Sequence, residues 1–199
     1  MGRHPDEERI QMAVRARYRR VARSAEGEFA YPTGAAGAEA LGYDPVRLAE
    51  APPELLRSFC GVGNPFALGP LAPGEVILDV GCGTGLDLFL ASREVGGAGR
   101  ACGVDLTPEM ADAAAANLAR SAVENVEVRV ARAEELPYEA EAFDVVLSNG
   151  VLNLSPGKEG AFGEIFRVLR PGGRLQFADV VLDGDLPAEV AGSLKAWSD

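Results

Sequence analysis

Three consecutive apolar residues, Val76-Ile77-Leu78, stop at a carboxylate and a run of glycines, and apolar positions resume over 86–91. A continuous apolar run bounded by a turn reads as a strand buried on both faces, and the stretch after it as the opening of a helix. The alternation repeats along the chain. Strands are expected near 75–80, 100–105, 125–130, 143–148 and 173–182, with helices near 86–95, 108–122, 134–140, 157–169 and 187–197. This order implies a Rossmann-like α/β fold, a parallel sheet with crossover helices on both faces. Pro171-Gly172-Gly173 is expected as a turn ahead of the fifth strand, since proline ends a helix.

Upstream of 75 the pattern is helical or irregular. Ile10, Val14, Tyr18 and Val21 recur at helical spacing within 6–25, with Asp6, Glu7 and Glu8 at one end and arginines toward the other. Tyr18 is a packing aromatic or a contact to a bound molecule. Residues 26–39, rich in glycine and alanine, read as a mobile loop or lid. Asp44 is expected to cap a short helix with Pro45 at its first position, and another short helix is expected over 53–59. Two segments follow: a cap over 1–70 and a ligand-binding core over 71–199.

The chemistry concentrates where the first strand ends, at Asp79-x-Gly81-x-Gly83-x-Gly85. Glycines in a strand-to-helix turn let a ligand approach the backbone closely. The second strand ends in Asp105, the position from which a carboxylate reaches the hydroxyls of a ribose. A leading acid repels a pyrophosphate but suits an ammonium group, which S-adenosylmethionine carries together with a ribose. The stretch resembles the first motif of class I S-adenosylmethionine-dependent methyltransferases.

A more specific resemblance extends over about 41–194. Leu41-Gly-Tyr43, Gly63-Asn-Pro65, Leu71-x-Pro-Gly-Glu75, Gly103-Val-Asp-Leu-Thr-Pro-Glu-Met110, Asn125-Val-Glu127, Glu134-x-Leu-Pro137, Ser148-Asn-x-Val-x-Asn-Leu-Ser-Pro156 and Phe166-Arg-Val-Leu-Arg-Pro-Gly-Gly-Arg174 are similar to arsenite methyltransferases. The resemblance implies S-adenosyl-L-methionine as cofactor and methyl transfer to a small molecule. It places Asp79, Gly81, Cys82, Gly83 and Gly85 at the methionine end and Asp105 on the ribose. Leu106 and Met110 fall beside the adenine, Ala133 and Glu134 at its edge, and Asn149 by the transferable methyl. At the adenine edge the family usually has an acid where this chain has Arg132. The family also binds arsenic through cysteines at the positions of Val62 and Gly150, in a segment before Leu41 and in one beyond Asp199. Cys60 lies two residues from the family position, and Cys82 and Cys102 read as turn and strand residues. Arsenic is thiophilic, so loss of the arsenic chemistry is expected. A non-catalytic cofactor-binding partner protein is the alternative. No residue announces itself as a general base. Asp179 and Tyr31 are weak candidates, while Asn149 and Asn153 stand out as polar interruptions of an apolar run.

Composition narrows this picture in a few respects. The 199 residues carry a net charge of −11, which disfavours a nucleic-acid substrate, although the arginines between Arg9 and Arg23 make the first segment basic. Three scattered cysteines and a single histidine, His4, leave no disulfide framework and no histidine metal site, and point to the cytoplasm. No run is long enough for a membrane span. The family ends its sheet with two further antiparallel strands, and these are missing from the sequence. An apolar fifth strand then needs a cover: the final helix, a second chain, or neither in a shortened relative. Self-association across that edge is the expectation.

Overall fold

A computed structural model of the protein describes residues 5–181, 183 and 184. Four helices come first: α1 (Pro5–Val21), α2 (Gly34–Ala40), α3 (Pro45–Glu50) and α4 (Pro53–Arg57). A 3-10 turn (Pro65–Leu68) leads into β1 (Val76–Val80), α5 (Leu86–Val95), β2 (Arg100–Asp105), α6 (Pro108–Arg120), β3 (Val126–Val130) and β4 (Phe143–Asn149). A second 3-10 turn (Leu152–Leu154), α7 (Lys158–Val168) and β5 (Leu169–Ala178) complete the described elements.

The five strands form one parallel sheet in the order β3-β2-β1-β4-β5. The order in which strands are added reverses between β1 and β4, and in such folds the crevice beyond the carboxyl ends of these two strands is where ligands bind. The middles of both central strands, Val76–Leu78 and Val145–Leu147, are apolar because helices cover both faces, and the polar residues Asp79, Ser148 and Asn149 come at their carboxyl ends. Ile77, Val145 and Leu147 pack on one side with Leu55, Leu88 and Phe89, while Leu78, Val80 and Val146 pack on the other with Phe143, Ile165 and Val168. The period of two divides 77 from 78 and 145 from 146, with Phe143 at the start of β4 the exception. Leu48 of α3, Leu55 of α4, and Tyr43 and Phe59 from the connections beside them join the former cluster, so the segment before β1 shares a core with the sheet.

The helix expected over 134–140 does not form. Pro137 cannot donate to a helical ladder, and the carbonyls of 136–138 are taken by arginines instead. Arg167 donates to Leu136 O and Tyr138 O, and Arg129 to Pro137 O. Within 26–39, expected as a loop, α2 begins at Gly34, whose N–H donates to Phe59 O at 2.8 Å. The turn at 171–173 lies inside β5 rather than before it: Phe143 pairs with Leu169 but Val145 with Arg174, so the strand bulges there. Among the described residues β5 pairs only with β4. The helix expected over 187–197 lies outside the described residues.

Candidate active site

The turn after β1 folds back on β2. Gly81 N and Cys82 N both donate to Val104 O, at 2.8 and 3.0 Å. Gly83 N donates to Asp105 Oδ2 at 3.0 Å, and Thr107 N to Asp105 Oδ1 at 2.8 Å, which fixes the acid against the turn. Gly81 has φ +77°, and a Cβ there would sit 2.2 Å from Val151 Cγ2. Only glycine fits that position. Above Gly83 (φ +53°) there is open space within 4 Å of a Cβ position, leaving its backbone accessible to a ligand. Gly85 turns into α5, where its missing Cβ faces Leu118 and Ala114.

Carboxylates crowd this turn. Asp79 is 2% exposed, and its Oδ2 is buried without a hydrogen-bond partner. Burial, with Asp87 and Asp105 nearby, raises its carboxyl well above the usual range. Burial also pushes Asp87 and Asp105 up to about 6. Asp87, in the first turn of α5, accepts from Tyr43 Oη at 2.7 Å and from Asn149 Nδ2 at 3.1 Å. Asn149 also donates to Gly63 O (2.9 Å) and lies 3.0 Å from Tyr43 Oη. Its Oδ1 accepts from Val62 N (2.9 Å) and Gly63 N (3.2 Å), so one side chain at the end of β4 staples the loop over 61–63.

Two cavities flank the turn. The larger, an open cleft of about 740 Å³ counted out to solvent, is mostly apolar and runs past Asp105, Leu106, Met110, Ala133 and Glu134. It is roofed by Gln11, Val14 and Tyr18 of α1. The smaller, about 380 Å³, is lined by Asp79, Asp87, Cys82, Thr84 and 58–61. Cys60, Gly81, Gly83 and Asn149 border both, so the two are compartments of one cleft. Burial pushes the Cys60 thiol up to about 12, which keeps it protonated at neutral pH.

Of the residues singled out in the sequence, Gly81, Gly83, Asp105, Leu106, Met110, Ala133, Glu134 and Asn149 line the larger compartment, and Asp79 and Cys82 the smaller one. Gly85 lines neither and serves helix packing. Tyr18 both lines the cleft and packs on Phe29, with ring centroids 6.3 Å apart. Asp179 accepts from Asn153 N and Val180 N at the end of β5, and Tyr31 Oη donates to Cys60 O. Arg132, placed at the adenine edge from the sequence, also lines the larger compartment, and the structure further brings in Asp87, Tyr43 and Gln11. An acid in the first turn of an apolar helix reads as a dipole partner, so Asp87 gave no separate signal. Val62 and Gly150 meet: a Cβ on Gly150 would lie 3.3 Å from Val62 Cγ1. Among the described residues no three His, Cys, Asp or Glu side chains cluster as a metal site.

A family model described as a methyltransferase domain matches residues 71–198. An arsenite methyltransferase of Halobacterium salinarum is 46% identical over 158 residues, covering 79% of this chain and 40% of that protein. A demethylmenaquinone methyltransferase of Lactococcus lactis is 41% identical over 102 residues, 51% of this chain and 40% of that protein. Among solved structures, an arsenic(III) S-adenosylmethionine methyltransferase from Chlamydomonas reinhardtii superposes with a TM-score of 0.61 at 35% identity. That match covers 80% of this chain and 53% of the other. The chain thus spans about half or less of the length of these relatives. With its glycine turn, parallel sheet and matched core, the chain belongs to the methyltransferase-domain family, in the class I Rossmann-like form similar to arsenite methyltransferases.

Proposed function

We propose that this protein transfers a methyl group from S-adenosyl-L-methionine to a small-molecule acceptor. One observation carries the reading: a single cleft runs from a buried, unpartnered carboxylate oxygen on Asp79, past the open glycine turn, to Asp105. A ligand with a cationic amino-acid end and an adenosyl end matches both poles. Asp79 and Asp87 would hold the ammonium group, Gly81 and Gly83 the backbone approach, and Asp105 the ribose hydroxyls. Leu106, Met110, Ala133 and Glu134 would surround the adenine. When bound, the cofactor supplies an electrophilic methyl group on a sulfonium.

The chain's own contribution is placement and exclusion of water. Holding two reactants in line supplies about 7–11 kcal/mol of a displacement barrier. Asn149 and Cys60 border both compartments, so the methyl group would lie beside them. The wall there includes Gly150 and the apolar Val151, with Val62 packed against Gly150. Where arsenite methyltransferases carry two cysteines this chain presents Val62 against Gly150, which supports an acceptor other than trivalent arsenic. The outer edge of β5, which among the described residues pairs only with β4, together with the part-exposed Phe162 and Phe177 whose rings lie 6.0 Å apart, supports self-association; a monomeric mass at all concentrations removes it.

Calorimetry with S-adenosylmethionine and S-adenosylhomocysteine tests the cleft. Product formation against a metabolite panel that includes arsenite then tests catalysis and separates an enzyme from a cofactor-binding partner. No heat with either ligand at millimolar concentration refutes the reading.

A further inference from the structure

Arg132 occupies the adenine rim of the cleft, yet its guanidinium is turned toward the protein. With the Gln11 carboxamide oriented so that its oxygen faces the guanidinium, Gln11 Oε1 accepts from Arg132 Nε at 3.0 Å and from Nη2 at 2.7 Å. Arg132 Nε also lies 3.4 Å from Glu134 Oε2, and Glu134 Oε1 accepts from Ser155 Oγ at 2.6 Å. The chain of contacts therefore runs from α1 through Arg132 and Glu134 to the loop after β4. Gln11 is 7% exposed, and the Arg132 and Glu134 side chains 15% and 13%. A two-pronged hydrogen bond to a cation, shielded to this degree, is far stronger than a surface ion pair.

The rest of α1 is attached differently. Its last turn is held by the apolar cluster of Val21, Ala25 and Met110. Arg19 and Glu109 pair at 2.6 Å but are exposed, so they add little. Gln11, Val14 and Tyr18 roof the larger compartment, so a ligand inside passes beneath α1. In the first half of the helix Ile10 and Val14 are buried as well, and Arg132 adds the polar tie at the adenine rim through Gln11.

We propose that Arg132 is a positioning residue acting through Gln11: it clamps α1 over the nucleoside end of the cleft. Where the resemblance to arsenite methyltransferases implies an acid at the adenine edge, this chain has a cation that grips its own N-terminal helix. Ligand affinity then depends on the helix being held. The inference rests on the proposed adenosyl ligand for its binding readout, and on the ligand-free protein for a second readout.

The variants are Gln11→Ala, Arg132→Ala, the double substitution, and Gln11→Glu, which keeps an acceptor for the guanidinium while removing the amide N–H. In ligand-free protein, amide exchange over 11–18 should accelerate at least fivefold in both alanine variants, and stay at or below the wild-type rate in Gln11→Glu. Helix α5 should be unchanged throughout. Calorimetry with S-adenosylhomocysteine should show each single alanine variant weakened about tenfold, as expected for a lost charged hydrogen bond. The double should be no weaker, and Gln11→Glu should match wild type. Unchanged exchange in both alanine variants overturns the clamp. So do losses that multiply in the double, or a Gln11→Glu variant as weak as Gln11→Ala. If wild type binds no adenosyl ligand, the proposed function fails, while the exchange data still decide whether Arg132 holds α1.

Discussion

Replacing Asn149 with alanine should loosen the loop over 61–63 and strand Asp87. Asn149 Oδ1 accepts from Val62 N and Gly63 N, and Nδ2 lies within 3.1 Å of Gly63 O, Tyr43 Oη and Asp87 Oδ2. A hydrogen bond to a charged group is worth about 1.5–3 kcal/mol and an ordinary one about 1 kcal/mol. Summed without relief, the loss would reach about 4–6 kcal/mol. Both compartments open beside the residue, so water can reach some of the stranded groups, and about 3 kcal/mol is the expected net cost. For a chain of this size that corresponds to a melting-point drop of about 6–12 °C. Tyr43→Phe removes one donor to Asp87 and should cost about 1–2 kcal/mol. The two losses should fall short of additive because both residues serve the same carboxylate. Asn149→Asp brings another carboxylate to Asp87 and should be worse than alanine at pH 7, recovering toward pH 5. Urea and thermal unfolding of the four proteins measure this. A loss below about 1 kcal/mol in Asn149→Ala, or strict additivity with Tyr43→Phe, refutes the network as described.

Because Asp87 and Asp105 sit near 6 in the fold, above the ordinary carboxylate range, the folded chain keeps protons that the unfolded chain releases. Their contribution therefore lowers ligand-free stability as pH rises from about 4 to about 6, and a cationic ligand reverses that trend. S-adenosylmethionine affinity should rise from pH 5 to pH 7 with proton release near pH 6, read by calorimetry in two buffers; a flat profile contradicts it. Gly81→Ala meets Val151 and a left-handed backbone, and should cost about 2–5 kcal/mol by chemical denaturation. Gly83→Ala has room and should cost only about 1–2 kcal/mol, yet weaken ligand binding at least tenfold. Equal effects of the two on both assays would mean the turn is not built around a ligand. In Val62→Cys/Gly150→Cys, the Cβ on residue 150 falls 3.9 Å from that of residue 62. Arsenite should therefore protect two thiols from alkylation in the variant, and identical rates with and without arsenite refute the juxtaposition.

The strands, the glycine turn and Asp105 were legible in the sequence because each is set by local rules. Apolar runs of strand length, glycine at positive φ and an acid at the end of a strand need no knowledge of distant residues. Where local signals conflicted the sequence misled: 134–140 has helical composition, but Pro137 and the arginines from β3 and α7 claim its backbone. The tertiary structure alone decided which distant residues share the cleft. Tyr43 reaches Asp87 across the interface between the first helices and α5, Val62 reaches Gly150 across the switch point, and Gln11 reaches Arg132 over the roof of the cavity. Such pairings depend on the strand order and on how loops of fixed length close over the sheet, and no periodicity along the chain encodes them.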